Sequence, residues 1–191
     1  MNMRALLIGL IVTASVVLVG ALTAGSAFVP ALAQTVPSSF RVISWDALAP
    51  KDWDPLKQYR DSNVGLLMDG DPKLDQMMRD MRAAWDNAPT VSAMNGAAVK
   101  LAGYVVPLDE AKGGLKEFLL VPYFGACIHT PPPPANQIIH VISKNPVKGF
   151  RTMDTVWVSG TLSTRRQESM MGTSGYRMDA VIVDRYAPPS R

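Results

Sequence analysis

The sequence predicts a mainly β protein, a small partly open barrel of about five strands of the OB type, preceded by an extended arm and one amphipathic helix. Three observations carry this prediction. From residue 98 onward, five runs rich in Val, Ile, Tyr, Trp and Phe follow one another, each bounded by Gly, Pro, Asn or Ser. Gly103 and Gly160 fall inside the first and fourth runs, where a barrel strand coils. The one strong helical periodicity precedes the strands instead of alternating with them.

The chain begins with a single basic residue, Arg4, then runs apolar over 5–25 and reaches Ala31-Leu32-Ala33. A charged segment, an apolar segment and a small-x-small site describe a secretory signal peptide cut before Gln34. A run of this length also spans a bilayer as an uncleaved anchor, but Pro30 and the Ala-x-Ala site favour cleavage. No cysteine follows the run, so no lipid attachment is expected there. The organisation read from this is a signal peptide over 1–33, an arm and helix packed on the barrel over 34–96, and the barrel-like domain over 97–191. Loss of Arg4 leaves 18 basic against 16 acidic residues, a net of +2 with no basic cluster beyond Arg165-Arg166, which argues against nucleic acid. No second apolar run approaches membrane-spanning length, so no transmembrane segment is expected after cleavage, and the protein is expected in the periplasm.

Residues 34–70 are punctuated by Pro37, Pro50, Pro55 and Gly65, with Trp45, Leu48 and Trp53 as apolar anchors. They read as a short extended piece and a turn of helix laid across the domain. Asp71 then offers a side-chain cap and Pro72 the first helical position. Leu74, Met77, Met78, Met81 and Trp85 follow at helical spacing, giving an apolar face to a helix over about 72–86. Asn87, Pro89 and Gly96 end it. Methionines at that spacing read as core filling, with thioether ligation of copper as the sharper alternative. The five strand runs are 98–108, 116–124, 136–143, 154–162 and 176–186. An OB barrel usually places a helix between its third and fourth strands, and residues 144–153 are too few for one. Met170 and Met171 sit in a polar connection and are expected to be exposed.

The most unusual stretch is FGACIHTPPPPANQ, residues 124–137, which holds the only cysteine and one of only two histidines. One cysteine makes no intrachain disulfide, so the thiol of an exported chain is packed, bound or available to another molecule. In an extended segment Cys127 and His129 share a face and can reach one zinc or copper ion, with His140 a third ligand if the prolines fold back. The competing reading is packing, since free cysteine is among the most buried residue types. Pro131, Pro132, Pro133 and Pro134 then form a rigid polyproline piece without donors, and Asn136 and Gln137 hydrogen-bond its idle carbonyls. With Tyr123 and Phe124 these residues also form a low-entropy edge for docking a partner. A catalytic Cys-His pair lacks an orienting residue and an oxyanion hole, and no catalytic residue is assigned.

The strings GYVVPLD (103–109), EFLLVPYFGACIHTPPPPANQIIHV (117–141), VWVSGTL (156–162) and GYRMDA (175–180), with ISWDALAP upstream, resemble an exported bacterial family known as domain of unknown function 3299. The resemblance covers nearly the whole mature chain. It implies a small periplasmic protein or lipoprotein, some members of which are encoded beside ABC-transporter subunits in clusters connected with zinc supply. It points to Cys127 and His129 as the positions that touch a metal or a partner. The functional expectation is therefore a soluble periplasmic accessory protein of a transport system, binding zinc or copper at Cys127, His129 and His140, with ABC-transporter subunits or another periplasmic protein as partner. The alternative is a non-catalytic interaction module in which the motif is structural and the proline-rich edge docks the partner.

Overall fold

The computed structural model describes residues 39–55, 57, 70–109, 114–128 and 132–187; the expected signal peptide lies outside the described residues. In chain order the strands are β1 (Arg41–Val42), β2 (Ala98–Pro107), β3 (Leu115–Val121), β4 (Ile139–Val147), β5 (Thr155–Ser163), β6 (Gln167–Ser169), β7 (Gly172–Ser174) and β8 (Tyr176–Arg185), and one helix, α1 (Pro72–Asp86), precedes β2. The large sheet is ordered β1-β2-β3-β4-β8-β5, and β2 also pairs with β5, closing five strands into a mixed barrel. Within the five only β4 and β8 run parallel.

Closure requires β2 to serve two partners. Ala98 to Tyr104 pair with β5, and Tyr104 to Pro107 pair with β3. The changeover falls at Tyr104, next to Gly103, where a Cβ would stand 2.8 Å from both Leu120 Cγ and the Val121 carbonyl oxygen. On β5 the register to β8 shifts between Ser159 and Gly160, and a Cβ on Gly160 would collide with the Asp179 carbonyl oxygen. Both glycines therefore mark close backbone approaches in coiled strands. Between β3 and β4 the register jumps so that Ser143 to Pro146 stand opposite Lys116. Pro146 sits in this bulge, where its missing N–H breaks no ladder bond.

The interior is filled by alternate side chains: Val99, Leu101 and Val105 from β2, Phe118 and Leu120 from β3, Ile139 and Val141 from β4, Val156, Val158 and Leu162 from β5, and Tyr176 and Met178 from β8. Each large buried side chain contributes about 1.5–3 kcal/mol. The arm is tied on by polar contacts. β1 runs parallel to β2, Trp45 Nε1 donates to the Ala102 carbonyl at 2.8 Å, and Leu48 is fully buried. The Tyr176 hydroxyl donates to the Leu48 carbonyl at 2.8 Å and accepts from the Val91 N–H at 2.6 Å, joining the arm and the segment after α1 through one buried oxygen.

Helix α1 starts as its residues dictate, with the Asp71 carboxylate accepting from Lys73 N–H at 2.8 Å and proline in the first turn. Its apolar stripe does not become core. No residue of α1 is buried; Leu74, Met77, Met81 and Trp85 are half-covered and Met78 is exposed. Strand side chains already fill the barrel, which leaves the helix outside it. Residues 148–154 join β4 to β5 without a helix, as their number requires.

Replacing Tyr176 by Phe is expected to leave the Val91 N–H and the Leu48 carbonyl without their buried partner. Urea titration should show a loss of ~1–3 kcal/mol at unchanged slope. Gly160→Ala, which places a carbon against backbone and not against a movable side chain, is expected to abolish cooperative unfolding.

Candidate functional site

The second and third barrel strands, β3 and β4, form the face on which OB barrels ordinarily take their ligands. Here that face is apolar and covered by the chain itself. Val106, Leu119, Val121 and Ile138 stand on the outer side of β2, β3 and the start of β4. They pack with Ala126 and, more peripherally, with Tyr104, Leu108, Cys127, Met153 and Met171. The cover is formed by residues 122–128 and 132–138, which carry Cys127 and Pro132 to Pro134 of the proline-rich motif.

Two consecutive turns begin the connection: Ala126 N–H bonds to the Tyr123 carbonyl at 3.4 Å and Ile128 N–H to the Gly125 carbonyl at 3.2 Å. Gly125 at φ 84° and Cys127 at φ 66° are both left-handed, which coils the chain and carries Ala126 into full burial. The strand expected over 116–124 thus ends three residues early, at Val121. Further on, Pro133 is buried, Pro132 and Pro134 are half-buried, and residues Ala135–Gln137 form a 3₁₀ turn. The Gln137 backbone N–H bonds to the Pro134 carbonyl at 2.7 Å, whereas the Asn136 and Gln137 side chains donate to carbonyls outside the motif. Asn136 Nδ2 bonds to the Pro89 carbonyl at 3.0 Å, and Gln137 Nε2 bonds to the Trp45 carbonyl at 3.1 Å, pinning the cover to the arm.

The polar connection carrying Met170 and Met171 is a β6–β7 hairpin, not a plain loop. It clamps the cover from the other side. A Cβ on Gly172, at φ +135°, would stand 2.9 Å from Pro132 Cβ, and Gly175 N–H bonds to the Ala135 carbonyl at 2.6 Å. Met170 is fully exposed at the tip, whereas Met171 turns inward onto the apolar cluster.

Cys127 is half-buried, and burial pushes its thiol up from 9.0 to about 11, with the Arg82 guanidinium of α1 opposing the shift. At neutral pH it is a protonated thiol packed on apolar neighbours, not a poised nucleophile. His140 is 1% exposed, opposite Leu119 on the covered face, and its Nε2 lies 2.6 Å from Glu117 Oε1. Its Nδ1 is buried without a hydrogen-bond partner. His129 and Pro131 lie outside the described residues, and among the described residues no three Cys, His, Asp or Glu side chains converge on one ion position. Glu117 is the site residue that the sequence reading does not single out, although a carboxylate in the otherwise apolar outward series Glu117, Leu119, Val121 is a usable signal.

On the outer surface of the cover, Phe124 is 66% exposed and Tyr123 44%, with Ile128 also exposed beside them. Phe124 is not loose: its ring meets Tyr104 edge to face, with centroids 6.0 Å apart at 82°.

A family model described as a protein of unknown function (DUF3299) matches residues 45–185. The chain belongs to the DUF3299 family. Four solved chains match it, among them the crystal structure of a DUF3299 family protein from Pseudomonas aeruginosa. That protein is 35% identical, with a TM-score of 0.60 over 80% of this chain and 99% of its own. No curated protein matches. The family match spans the arm from Trp45, the cover and all five barrel strands, so the self-covered barrel lies within the DUF3299 region.

The raised thiol pKa has two measurable consequences. Alkylation of Cys127 by iodoacetamide at pH 7.5 should be at least about tenfold slower in the folded protein than in urea, because a thiol raised from 9.0 to about 11 holds about a hundredfold less thiolate. The unfolded thiol ionises first, so this group's contribution to stability is intact below pH 9.0 and is lost as pH rises toward about 11. Cys127→Ala should therefore lose less stability than wild type over that window.

Proposed function

We propose that the protein is a non-catalytic interaction module, an accessory of a transport system in the periplasm, whose cover presents Tyr123, Phe124 and Ile128 to an apolar segment of a partner protein. One observation carries this reading. Two aromatic rings and an isoleucine stay exposed within residues 123–128, while Ala126, Cys127 and Ile138 of the same connection pack against the sheet. Aromatic residues are enriched at interface centres, and one already held by an edge-to-face contact loses little entropy on docking. Prolines 132–134, held between the arm and the β6–β7 hairpin, make the platform rigid. A protonated, packed Cys127 supports a structural role for the motif and a protein without thiol catalysis. An ABC-transporter subunit or another exported protein is the partner this function calls for.

A specific observation favours a second reading, zinc or copper binding at Cys127, His129 and His140. His140 Nε2 donates to the Glu117 carboxylate while Nδ1 stays buried and unpartnered. A carboxylate on one ring nitrogen is the arrangement that orients a histidine to ligate through the other.

The docking reading is tested by a photo-crosslinking benzoylphenylalanine placed at Phe124 and, as a control, at the exposed Val181. A discrete protein adduct formed in cells from position 124 and not from 181 is expected. Equal or no adducts from both positions would reject the docking edge. For the second reading, protein purified without an affinity tag should carry near-stoichiometric zinc or copper that is lost in Cys127→Ser and His140→Ala. Absence of both metals after re-supply would reject it.

A further inference from the structure

The barrel end where β2 passes to β3 and β4 passes to β5 carries a second site. There the C-terminal end of β2, the start of β3, the end of β4 and the 148–154 connection surround a cavity of about 350 Å³. This is the end that the helix between the third and fourth strands of an OB barrel would occupy, and this chain has no helix there. Pro107, Leu115, Val147 and Phe150 supply apolar wall, and Arg151 and Thr152 supply polar groups. The volume falls in the range of small-molecule sites, which are mostly apolar with a few convergent polar groups.

The wall is fixed and the charge is not spent. Gly149 at φ +80° and Gly114 at φ +114° turn the chain at the rim, and a Cβ on Gly114 would stand 2.8 Å from the Val147 carbonyl oxygen. Arg185 is fully engaged: its guanidinium lies 5.1 Å from the Phe150 ring centroid, donates to the Gly149 carbonyl and pairs with Asp154 at 3.6 Å. Asp154 is engaged as well, since it also accepts from the Arg151 backbone N–H at 3.0 Å. The Arg151 guanidinium, by contrast, has no partner among the described residues, and none of the described lining residues is acidic.

We propose that this barrel-end cavity binds a small amphiphilic anion, a carboxylate, sulfonate or phosphate head held by Arg151 with a compact ring-sized apolar body against Leu115, Val147 and Phe150. A guanidinium offers paired donors to such a head, and a charge-assisted bond is among the stronger polar contacts. A compact body is specified over a long acyl chain because the apolar wall is limited to Pro107, Leu115, Val147 and Phe150. The cavity shares no lining residue with the docking edge, although the 148–154 connection reaches the cover through Met153, whose Sδ accepts from the Gly125 N–H at 3.3 Å.

The test uses a matched pair of dyes, 8-anilinonaphthalene-1-sulfonate and N-phenyl-1-naphthylamine, which share an apolar body and differ in the anion. Fluorescence titration of the native protein should show saturable one-to-one binding of the sulfonate. Arg151→Ala, at an exposed position, should weaken the sulfonate about tenfold and leave the neutral dye within twofold. Thr152→Trp, which fills the mouth, should weaken both. Sulfonate binding unchanged by Arg151→Ala, or abolished by Phe124→Ser instead, would overturn the assignment. Laurate displacing the dye more tightly than 1-naphthoate would overturn the compact-body class.

Discussion

Closure of a five-stranded sheet on itself is the constraint from which the rest of this structure follows. With so few strands, closure demands strong coiling, and the backbone meets that demand at two points. Gly103 lets β2 leave β5 for β3, and Gly160 lets β5 press to within a Cβ's clearance of β8. Once closed, the barrel interior is filled by the alternating residues of all five strands. Everything else that is apolar must find cover outside.

The unusual motif is the answer to that second requirement. β2, β3 and the start of β4 are apolar on both sides, so the outer face cannot be left to water without losing the burial of Val106, Leu119, Val121 and Ile138. The ladder already satisfies the backbone groups of those strands, so a covering segment needs apolar bulk and few donors of its own. Prolines meet both conditions, and they lose little conformational entropy when held. The two ends of the cover are then secured by groups that do have donors: the tight turns around Gly125 and Cys127, and the side chains of Asn136 and Gln137 bound to the carbonyls of Pro89 and Trp45. An OB face that ordinarily meets a ligand is thereby occupied from within. What is offered outward has moved to the back of the cover, where Tyr123 and Phe124 stand, and to the barrel end that lacks a closing helix.

Much of this is legible in the chain. Alternation and turn residues place all five barrel strands to within a few residues, and Asp71-Pro72 fixes the helix start because capping is local chemistry. The two strand glycines are recognisable as coiling points. The differences share a cause. Aromatic composition extends β3 through Pro122, Tyr123 and Phe124, while the competing left-handed turn at Gly125 and Cys127 depends on Ala126 being buried against residues far away in sequence. The methionine stripe of α1 reads as core because periodicity reports that a face is apolar, not what lies opposite it. The β6–β7 hairpin passes for a loop because its strands are three residues each and polar.

Local sequence thus determined the elements, their order, the barrel class and the family, since strand periodicity, helix capping and a contiguous motif are all written within short windows of chain. Which of those elements would face one another was decided only by the tertiary structure. Glu117 and His140 are 23 positions apart and meet because β3 and β4 pair in one register. Cys127 feels Arg82 from α1, and Phe124 meets Tyr104, through folding of the connection over the sheet. The cavity beside Arg151 exists because a barrel closed without a helix at that end. Burial and register are properties of the packed chain, and no window of sequence contains them.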